Sequence, residues 1–127
     1  MKLGYTLFYV EDVEETIRFY ESAFGLKRKF VHESGYGEMD TGATSLGFVA
    51  HALAESNGVR YTKTDPGNPA PAIEIGLVTD DVPRAYEKAV QAGAAAVAPP
   101  KTKPWGQTVA YVRDRNGFLV ELCTAVS

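Results

Sequence analysis

Apolar and polar positions at the start of the chain change from a strand-like to a helix-like pattern. Tyr5 to Val10 is aromatic and β-branched, which is typical of a strand. Asp12 then stands where a helix N-cap is expected, and Glu15, three residues later, completes a capping box. The apolar residues that follow at helical spacing are Val13, Ile17, Tyr20 and Phe24. Because Gly25 favours helix termination, the pattern predicts one strand and one amphipathic helix.

The next part of the chain contains three strand-like runs and then loses its periodicity. Leu26 to His32, Gly35 to Asp40 and Thr44 to Ala50 are predicted strands separated by turn residues. Residues 51–71 contain Asn-Gly and then a run of proline and glycine from Asp65 to Pro71. Breakers at this density predict a loop or linker rather than a regular element.

After this stretch the strand-to-helix pattern starts again. Ala72 to Thr79 predicts a strand, and Asp81 predicts a helix N-cap with Pro83 in the first turn, where proline is tolerated. The apolar stripe of this helix comprises Val82, Ala85, Tyr86, Ala89 and Val90. A glycine favours its end. A weaker strand over Ala94–Ala98 and a loop over Pro99–Pro104 follow.

The last apolar runs predict a β-hairpin with one acid inside it. Thr108 to Val112 and Phe118 to Leu122 are the two strands, and Asn116-Gly117 between them tolerates positive φ. Glu121 lies within the second run. Burying a lone carboxylate costs several kcal/mol, so we expect Glu121 to be paired, protonated or facing a cavity.

The two halves of the sequence resemble each other. Tyr5–Val13 lies over Glu74–Val82, and Asp40–Phe48 lies over Asp114–Leu122. Each half therefore predicts a β-α-β-β-β module, and the fold class is α+β, with curled mixed sheets that enclose a cavity between the modules. Within a single domain, we place module 1 at about residues 1–52, a linker at about 53–71 and module 2 at about 72–127.

Composition narrows the class of protein further. The chain has 127 residues, 45% of them apolar, and a net charge of −3 without a basic run, which gives no reason to expect nucleic acid. No apolar run approaches the roughly 18 residues that a membrane span needs, and the first residues show no apolar signal core. A single cysteine allows no intramolecular disulfide, so the expected location is the cytoplasm.

Candidate chemistry centres on two acids that the repeat places at inward positions, Glu74 and Glu121. Two facing carboxylates raise each other's pKa and can act as an acid–base pair near neutrality. The alternative is two satisfied buried acids, or an outward face of an alternating strand. Tyr5 either presents its phenol to the same cavity or is an ordinary aromatic at its rim.

Several further residues are candidates for ligand contact. Trp105 lies in a loop between Pro104 and Gly106, where a rigid aromatic either walls a ligand or only packs. Glu38 and Tyr111 lie on predicted strands and are expected to contribute to binding, although alternation leaves the direction of Glu38 open. The residues for which an ordinary structural role is favoured are His32, His51, Arg60, Tyr61, Lys63, Lys101, Lys103 and Cys123, the last as a small buried thiol.

The duplicated pattern resembles a known superfamily. The segments that show the resemblance are Val10-Glu11-Asp12-Val13 at the start of a helix, Trp105-Gly106-Gln107, and the hairpin from Arg113 to Leu122. Together they resemble the vicinal oxygen chelate superfamily, which includes glyoxalase I, bleomycin-resistance proteins, fosfomycin-resistance enzymes and extradiol dioxygenases. The resemblance covers the whole chain and implies the glyoxalase-like fold. It leaves the activity open, because this fold hosts lyases, isomerases, dioxygenases and non-catalytic drug binders.

The resemblance also implies where a metal ion would bind. Metal enzymes of the family place ligands on the first and last strands of each half, and these positions map to Tyr5, Gly47, Glu74 and Glu121. Glycine has no ligand atom in its side chain, and two glutamates fall short of a usual divalent site. We therefore expect no metal cofactor. The alternative is that Glu74 and Glu121 hold a divalent ion (Mg, Mn, Ni or Zn).

Two functions of different classes follow from these observations. The favoured one is a metal-free binder of a small organic molecule, similar to the bleomycin-resistance group, with its ligand in the cavity between the modules. The alternative is an enzyme of the lactoylglutathione lyase or extradiol dioxygenase kind that uses Glu74 and Glu121 as catalytic residues. The resemblance further implies a homodimer, with modules packed side by side or exchanged.

Overall fold

The computed structural model describes residues 1–126 and contains eight strands and three helices in that range. In chain order the elements are β1 (Tyr5–Val10), α1 (Val13–Phe24), β2 (Lys27–His32), β3 (Tyr36–Asp40), β4 (Ser45–Ala50), α2 (His51–Ser56), β5 (Glu74–Val78), α3 (Val82–Gln91), β6 (Ala95–Thr102), β7 (Thr108–Arg113) and β8 (Leu119–Cys123). The chain divides into a first unit, Met1–Thr64, and a second unit that begins at Asp65. Each unit contains one four-stranded sheet.

The first unit has strand order β1-β4-β3-β2, with β1 parallel to β4 and the other pairs antiparallel. Helix α1 begins as predicted, because the Asp12 carboxylate accepts a 3.0 Å hydrogen bond from the backbone N–H of Glu15. It ends at Gly25 in the left-handed conformation. The core between helix and sheet contains the fully buried Ile17, Tyr20, Met39 and Phe48.

The second unit repeats this arrangement with strand order β5-β8-β7-β6. Asp81 caps α3 by accepting a 3.1 Å hydrogen bond from the N–H of Arg84, and Pro83 lies in the first turn. Helix α3 covers one face of the sheet. The fully buried strand residues on that face are Ala110, Val112, Val120 and Leu122.

The registers of the two sheets confirm the duplication predicted from the sequence. Leu7 on β1 lies opposite Gly47 on β4, and Gly76 on β5 lies opposite Glu121 on β8. Gly47 and Glu121 therefore occupy the same position in their respective sheets. The α+β class with a glyoxalase-like arrangement is confirmed, in the form of two separate mixed sheets, neither of which is closed.

The predicted hairpin is formed by β7 and β8. Its turn is fixed by Asp114, which is 3% exposed and accepts hydrogen bonds from the N–H groups of Asn116 and Phe118, each at 2.9 Å. Of the two turn residues that tolerate positive φ, Asn116 and Gly117, Gly117 adopts it. The side chain of Arg113 donates to the carbonyl of Gly117 and to the carbonyls of residues 65 and 66, so the start of the second unit is tied to this turn.

One prediction about the linker was wrong. Residues 51–56 form α2 instead of a loop, since Ala52, Leu53 and Ala54 are strong helix formers. His51, expected to be a lone surface histidine, is 9% exposed, and its Nδ1 lies 2.7 Å from the Tyr61 hydroxyl. The linker sequence therefore contributes packed residues to the first unit.

The prediction for the end of β6 was also wrong. The strand continues through Pro99 and Pro100 to Thr102, where a loop was expected. β6 is an edge strand, and its pairing with β7 shifts twice between Ala96 and Lys101, so the prolines fall where no ladder hydrogen bond is needed. In α3, Val90 is 37% exposed and does not belong to the buried stripe.

Candidate functional site

The second sheet has one face that α3 does not cover, which we call the helix-free face. Because directly opposed residues point to the same side of a sheet, the pairing of β7 with β8 places three pairs on this face. These pairs are Val109 with Cys123, Tyr111 with Glu121, and Arg113 with Leu119. The neighbouring strand β5 adds Glu74 and Gly76 to the same face, as the partners of Leu119 and Glu121.

Two of the predicted acids and one predicted tyrosine meet on the helix-free face. The Tyr111 hydroxyl donates a 2.9 Å hydrogen bond to Oε1 of Glu121. Glu74, which is exposed, lies near enough to the half-buried Glu121 for the charge of Glu121 to act on its carboxyl. We call Glu74 and Glu121 the acid pair.

Burial and the nearby carboxyl groups raise the pKa values of two groups in this cluster. Desolvation, together with the charge of Glu121 and a hydrogen bond to it, raises the pKa of Glu74 above its usual value. The hydrogen bond to Glu121, with burial and the nearby charges, raises the pKa of Tyr111 to about 12. The phenol therefore remains a hydrogen-bond donor throughout the physiological range.

Cys123 belongs to the same cluster but is not a nucleophile. Burial, followed by the hydrogen bond and charge of Glu121, raises the pKa of its thiol to about 11. A nucleophilic cysteine needs the opposite shift, because the thiolate is the reactive form. The expectation of a small buried thiol is consistent with its 6% exposure.

A groove of about 270 Å³ adjoins the acid pair on the helix-free face. Tyr111 and Val109 line it from β7, residues 98–101 line it from β6, and Lys103 lines it from the loop that follows. Tyr111 thus contacts both the groove and Glu121. A ligand bound to the acid pair can extend over Tyr111 into this groove.

Trp105 lies on the loop between β6 and β7 and is 64% exposed. Its indole N–H donates a 2.9 Å hydrogen bond to the side-chain oxygen of Gln107, whose amide in turn donates to the Thr124 carbonyl at 2.9 Å. The indole is thereby held against its own loop and presents most of its surface to solvent. Its role in ligand contact stays a prediction.

The structure places Glu38 in the first unit, whereas Glu121 belongs to the second. It lies opposite Gly47, accepts a short hydrogen bond from Tyr36 and is 3.8 Å from the ammonium of Lys29. Burial and the bond to Glu38 raise the pKa of Tyr36. A Cβ at Gly47 would come within 2.6 Å of the Leu7 side chain and 3.2 Å of the Tyr36 hydroxyl, so these two side chains occupy the space of a ligand residue.

Tyr5 lies at the edge of the first sheet, opposite Ser45, and is 56% exposed. Sequence reasoning did not single out Tyr36, although it lies two residues before Glu38 and so on the same face of β3. It also did not connect Cys123 with Glu121, which has the same spacing on β8. In both cases the signal was the two-residue period of a strand.

Few side chains in the described part of the chain are placed to bind a metal ion together. Among residues 1–126, no three histidine, cysteine, aspartate or glutamate side chains are grouped closely enough to hold one. The second unit offers two carboxylates, and the equivalent position in the first unit is a glycine. This set falls short of a structural or catalytic zinc site, which needs three or four protein ligands.

Comparison with known proteins identifies the family. The model of the Glyoxalase/Bleomycin resistance protein/Dioxygenase superfamily matches residues 2–122. The chain belongs to this superfamily. No curated protein matches the chain.

In the described part of the chain, no helix is both long enough and apolar enough to cross a membrane.

Several solved structures share the fold. A glyoxalase-related enzyme from Fulvimarina pelagi has a TM-score of 0.83 and 21% identity, with 98% of this chain and 88% of that chain covered. A glyoxalase/bleomycin resistance protein/dioxygenase family enzyme from Burkholderia phytofirmans PsJN has a TM-score of 0.79 and 19% identity, with 100% of both chains covered. TioX from Micromonospora sp. ML1 has a TM-score of 0.71 and 21% identity, with 98% of both covered. At these identities the likeness concerns the fold alone.

Proposed function

We propose that this superfamily member binds a small organic cation on the helix-free face of its second sheet, through Glu121, Glu74 and Tyr111, and that it does so without a resident metal ion. The observation that carries the proposal is the charge of the acid pair. Within residues 1–126, neither Glu74 nor Glu121 forms an ion pair with a lysine, arginine or histidine.

Uncompensated acids of this kind are unfavourable in the free protein. Two neighbouring carboxylates repel each other and favour a protonated form, as the raised pKa of Glu74 indicates. A cation removes that repulsion and favours the ionised form of Glu74. Hydrogen bonds from an ammonium or amidinium to carboxylates are charge-assisted and about twice as strong as neutral ones. The cluster is therefore better suited to a cationic ligand than to a neutral or anionic one.

Tyr111 contributes orientation and an apolar surface. Its hydroxyl holds one oxygen of Glu121, which leaves the other oxygen for a ligand. Its ring lines the adjoining groove, where it can pack against an aromatic or aliphatic ligand body. The same ring can also attract the cation directly.

Benzylamine is a suitable probe, since it joins one ammonium to one ring. We expect calorimetry to detect binding and NMR to show amide shifts on β7 and β8. Glu121→Gln should weaken binding by about tenfold or more, the value of a charge-assisted hydrogen bond. Glu87→Gln on α3, on the opposite side of the sheet, is the matched control. Absence of benzylamine binding, or equal binding by Glu121→Gln, would overturn the proposal.

A second candidate function is proton transfer by the acid pair, in an enzyme of the glyoxalase kind. The observation that favours it is the raised pKa of Glu74, because a general acid or base works best when its pKa lies near the operating pH. Glu74 would then exchange a proton with a bound carbon acid.

Turnover separates this candidate from binding alone. The hemithioacetal of methylglyoxal and glutathione, and separately catechol, are the probes. Conversion that disappears in Glu74→Gln with Glu121→Gln would support the enzyme; conversion that persists would assign it to another site or a contaminant. Calorimetric titration with Mn²⁺, Ni²⁺ and Zn²⁺ tests the metal question, because one tightly bound ion per chain, lost in Glu121→Gln, would contradict metal-free binding.

A further inference from the structure

The groove beside the acid pair carries charge of the opposite sign. Lys101 lies opposite Val109 in the pairing of β6 with β7, and Lys103 follows two residues later. Both lysines line the groove. Lys103 is half-buried, which is unusual for a lysine without a partner.

These lysines have no acidic partner in the structure. Over residues 1–126, neither Lys101 nor Lys103 forms an ion pair with an aspartate or glutamate. The acid pair likewise lacks a cation. Arg113, the other cation on this face, is bound to the carbonyls of Gly117 and of residues 65 and 66. Unpaired charges of both signs are thus separated on one face by the column of Tyr111 and Val109.

The spacing of the strands sets the separation of the two charged residues across the sheet. Glu121 lies on β8 and Lys101 on β6, with β7 between them. Neighbouring strands are about 4.8 Å apart, so the backbones that carry these two residues are about 10 Å apart across the sheet. They are also displaced along the strands, because Glu121 lies opposite Tyr111 and Lys101 lies opposite Val109. Within that interval the sheet offers an aromatic ring, a valine and the alanine and prolines of β6. This surface is apolar and suits a flat hydrocarbon body.

We infer that the helix-free face binds a zwitterionic molecule with a flat apolar body. Its cationic group contacts Glu121 and Glu74, and its body covers Tyr111 and Val109. Its carboxylate contacts Lys101 and Lys103. The inference rests on the proposed function at the acid pair and adds a second anchoring point to it. Because the strands that carry Glu121 and Lys101 are about 10 Å apart, we expect a ligand whose two charges are separated by a comparable distance, longer than in a simple amino acid.

Three probes of graded structure test this inference. They are benzylamine, para-aminomethylbenzoate, and the para-linked aminomethyl biphenyl carboxylate, which share the cationic end and differ in the presence and reach of the carboxylate. We expect the biphenyl compound to bind about threefold to tenfold more tightly than its analogue without the carboxylate, as two partly exposed ion pairs allow. The benzoate should show little gain over benzylamine, because its carboxylate falls short of the lysines.

Variants of the lysines make the test specific. In Lys101→Gln with Lys103→Gln, the biphenyl compound should lose its advantage over the analogue without the carboxylate, while benzylamine binding stays unchanged. Lys88→Gln on α3 is the matched control and should change neither affinity. If benzylamine binds through Glu121 but the biphenyl carboxylate gains nothing, or keeps its gain in the double variant, the inference fails and the proposed function stands. If none of the probes binds, both fail.

Discussion

Gly47 and Glu121 occupy the same position in their two sheets, but the residues opposite them on β1 and β5 differ in size. Leu7 lies opposite Gly47, whereas Gly76 lies opposite Glu121. A large side chain on one strand thus accompanies a glycine on the other in both units. In the first unit Leu7 and Tyr36 fill the space of the missing side chain, and in the second unit Gly76 leaves space beside the acid. The duplicated backbone therefore supports different chemistry in its two halves.

Gly47→Ala should destabilise the protein by about 1–2 kcal/mol, because the new Cβ would lie 2.6 Å from the Leu7 side chain and force it to move. Gly76→Ala is the matched control, since no atom lies within 4 Å of a Cβ built there. Urea unfolding measures both changes. In a Leu7→Ala background the cost of Gly47→Ala should fall, and an equal cost in both backgrounds would show that Leu7 is not the obstacle.

The stability of the protein should depend on Glu74 in a pH-dependent manner. Its pKa is raised above 4.5 in the folded state, so its contribution to stability is present below that value and decreases as the pH rises through the folded-state pKa. The free energy of unfolding of Glu74→Gln, relative to that of the wild type, should therefore increase as the pH rises from acid to neutral. The increase should be less than about 1 kcal/mol because the residue is exposed. Unfolding curves at several pH values measure this difference, and a constant difference would contradict the mechanism.

The thiol of Cys123 should react slowly with iodoacetamide in the folded protein. Burial and Glu121 raise its pKa to about 11, compared with 9.0 for a free thiol, so little thiolate exists at mildly alkaline pH. Glu121→Gln removes the neighbouring charge and should increase the alkylation rate several-fold, whereas Glu87→Gln should not. The chain has one cysteine, so mass spectrometry of the intact protein gives the rate directly. Faster alkylation of the folded than of the unfolded wild type would refute the raised pKa.

Asp114→Ala should destabilise the hairpin by about 2–3 kcal/mol. The substitution removes the carboxylate that accepts hydrogen bonds from the N–H groups of Asn116 and Phe118, and the bond to Phe118 is buried. Asp114→Asn retains one acceptor oxygen and should cost less. Thermal unfolding of the two variants and of Asp80→Ala, an exposed aspartate, gives the comparison. Equal losses for Asp114→Ala and Asp80→Ala would mean that the turn does not depend on the buried carboxylate.

Local signals in the sequence were sufficient for the architecture. The caps at Asp12 and Asp81, the glycine after α1 and the hairpin turn each depend on residues three or four positions apart, and all form as expected. The repeat then related the two sheets without any knowledge of contacts. It also predicted equivalent inward positions for Glu74 and Glu121, and the inward orientation stays a prediction. The register of β5 with β8 places both acids on one face of the second sheet.

What could not be predicted depends on the position of strands and side chains in three dimensions. β6 runs through Pro99 and Pro100 because it is an edge strand, and an edge is a property of the sheet and not of the segment. The bond from Tyr111 to Glu121 requires the register of the hairpin. The burial of His51 requires Tyr61, which the breaker-rich composition of the linker had assigned to a loop.

The position of Trp105 makes the intrinsic fluorescence of the protein a reporter of ligand binding. The chain contains one tryptophan, which is 64% exposed and lies two residues after Lys103, a residue that lines the groove. An indole in water emits at long wavelength in the folded and unfolded states alike, so intrinsic fluorescence is poorly suited to following unfolding. The same exposure makes the indole sensitive to any molecule that covers its loop. Emission that shifts to shorter wavelength on addition of a compound would report occupancy of this end of the sheet without a label.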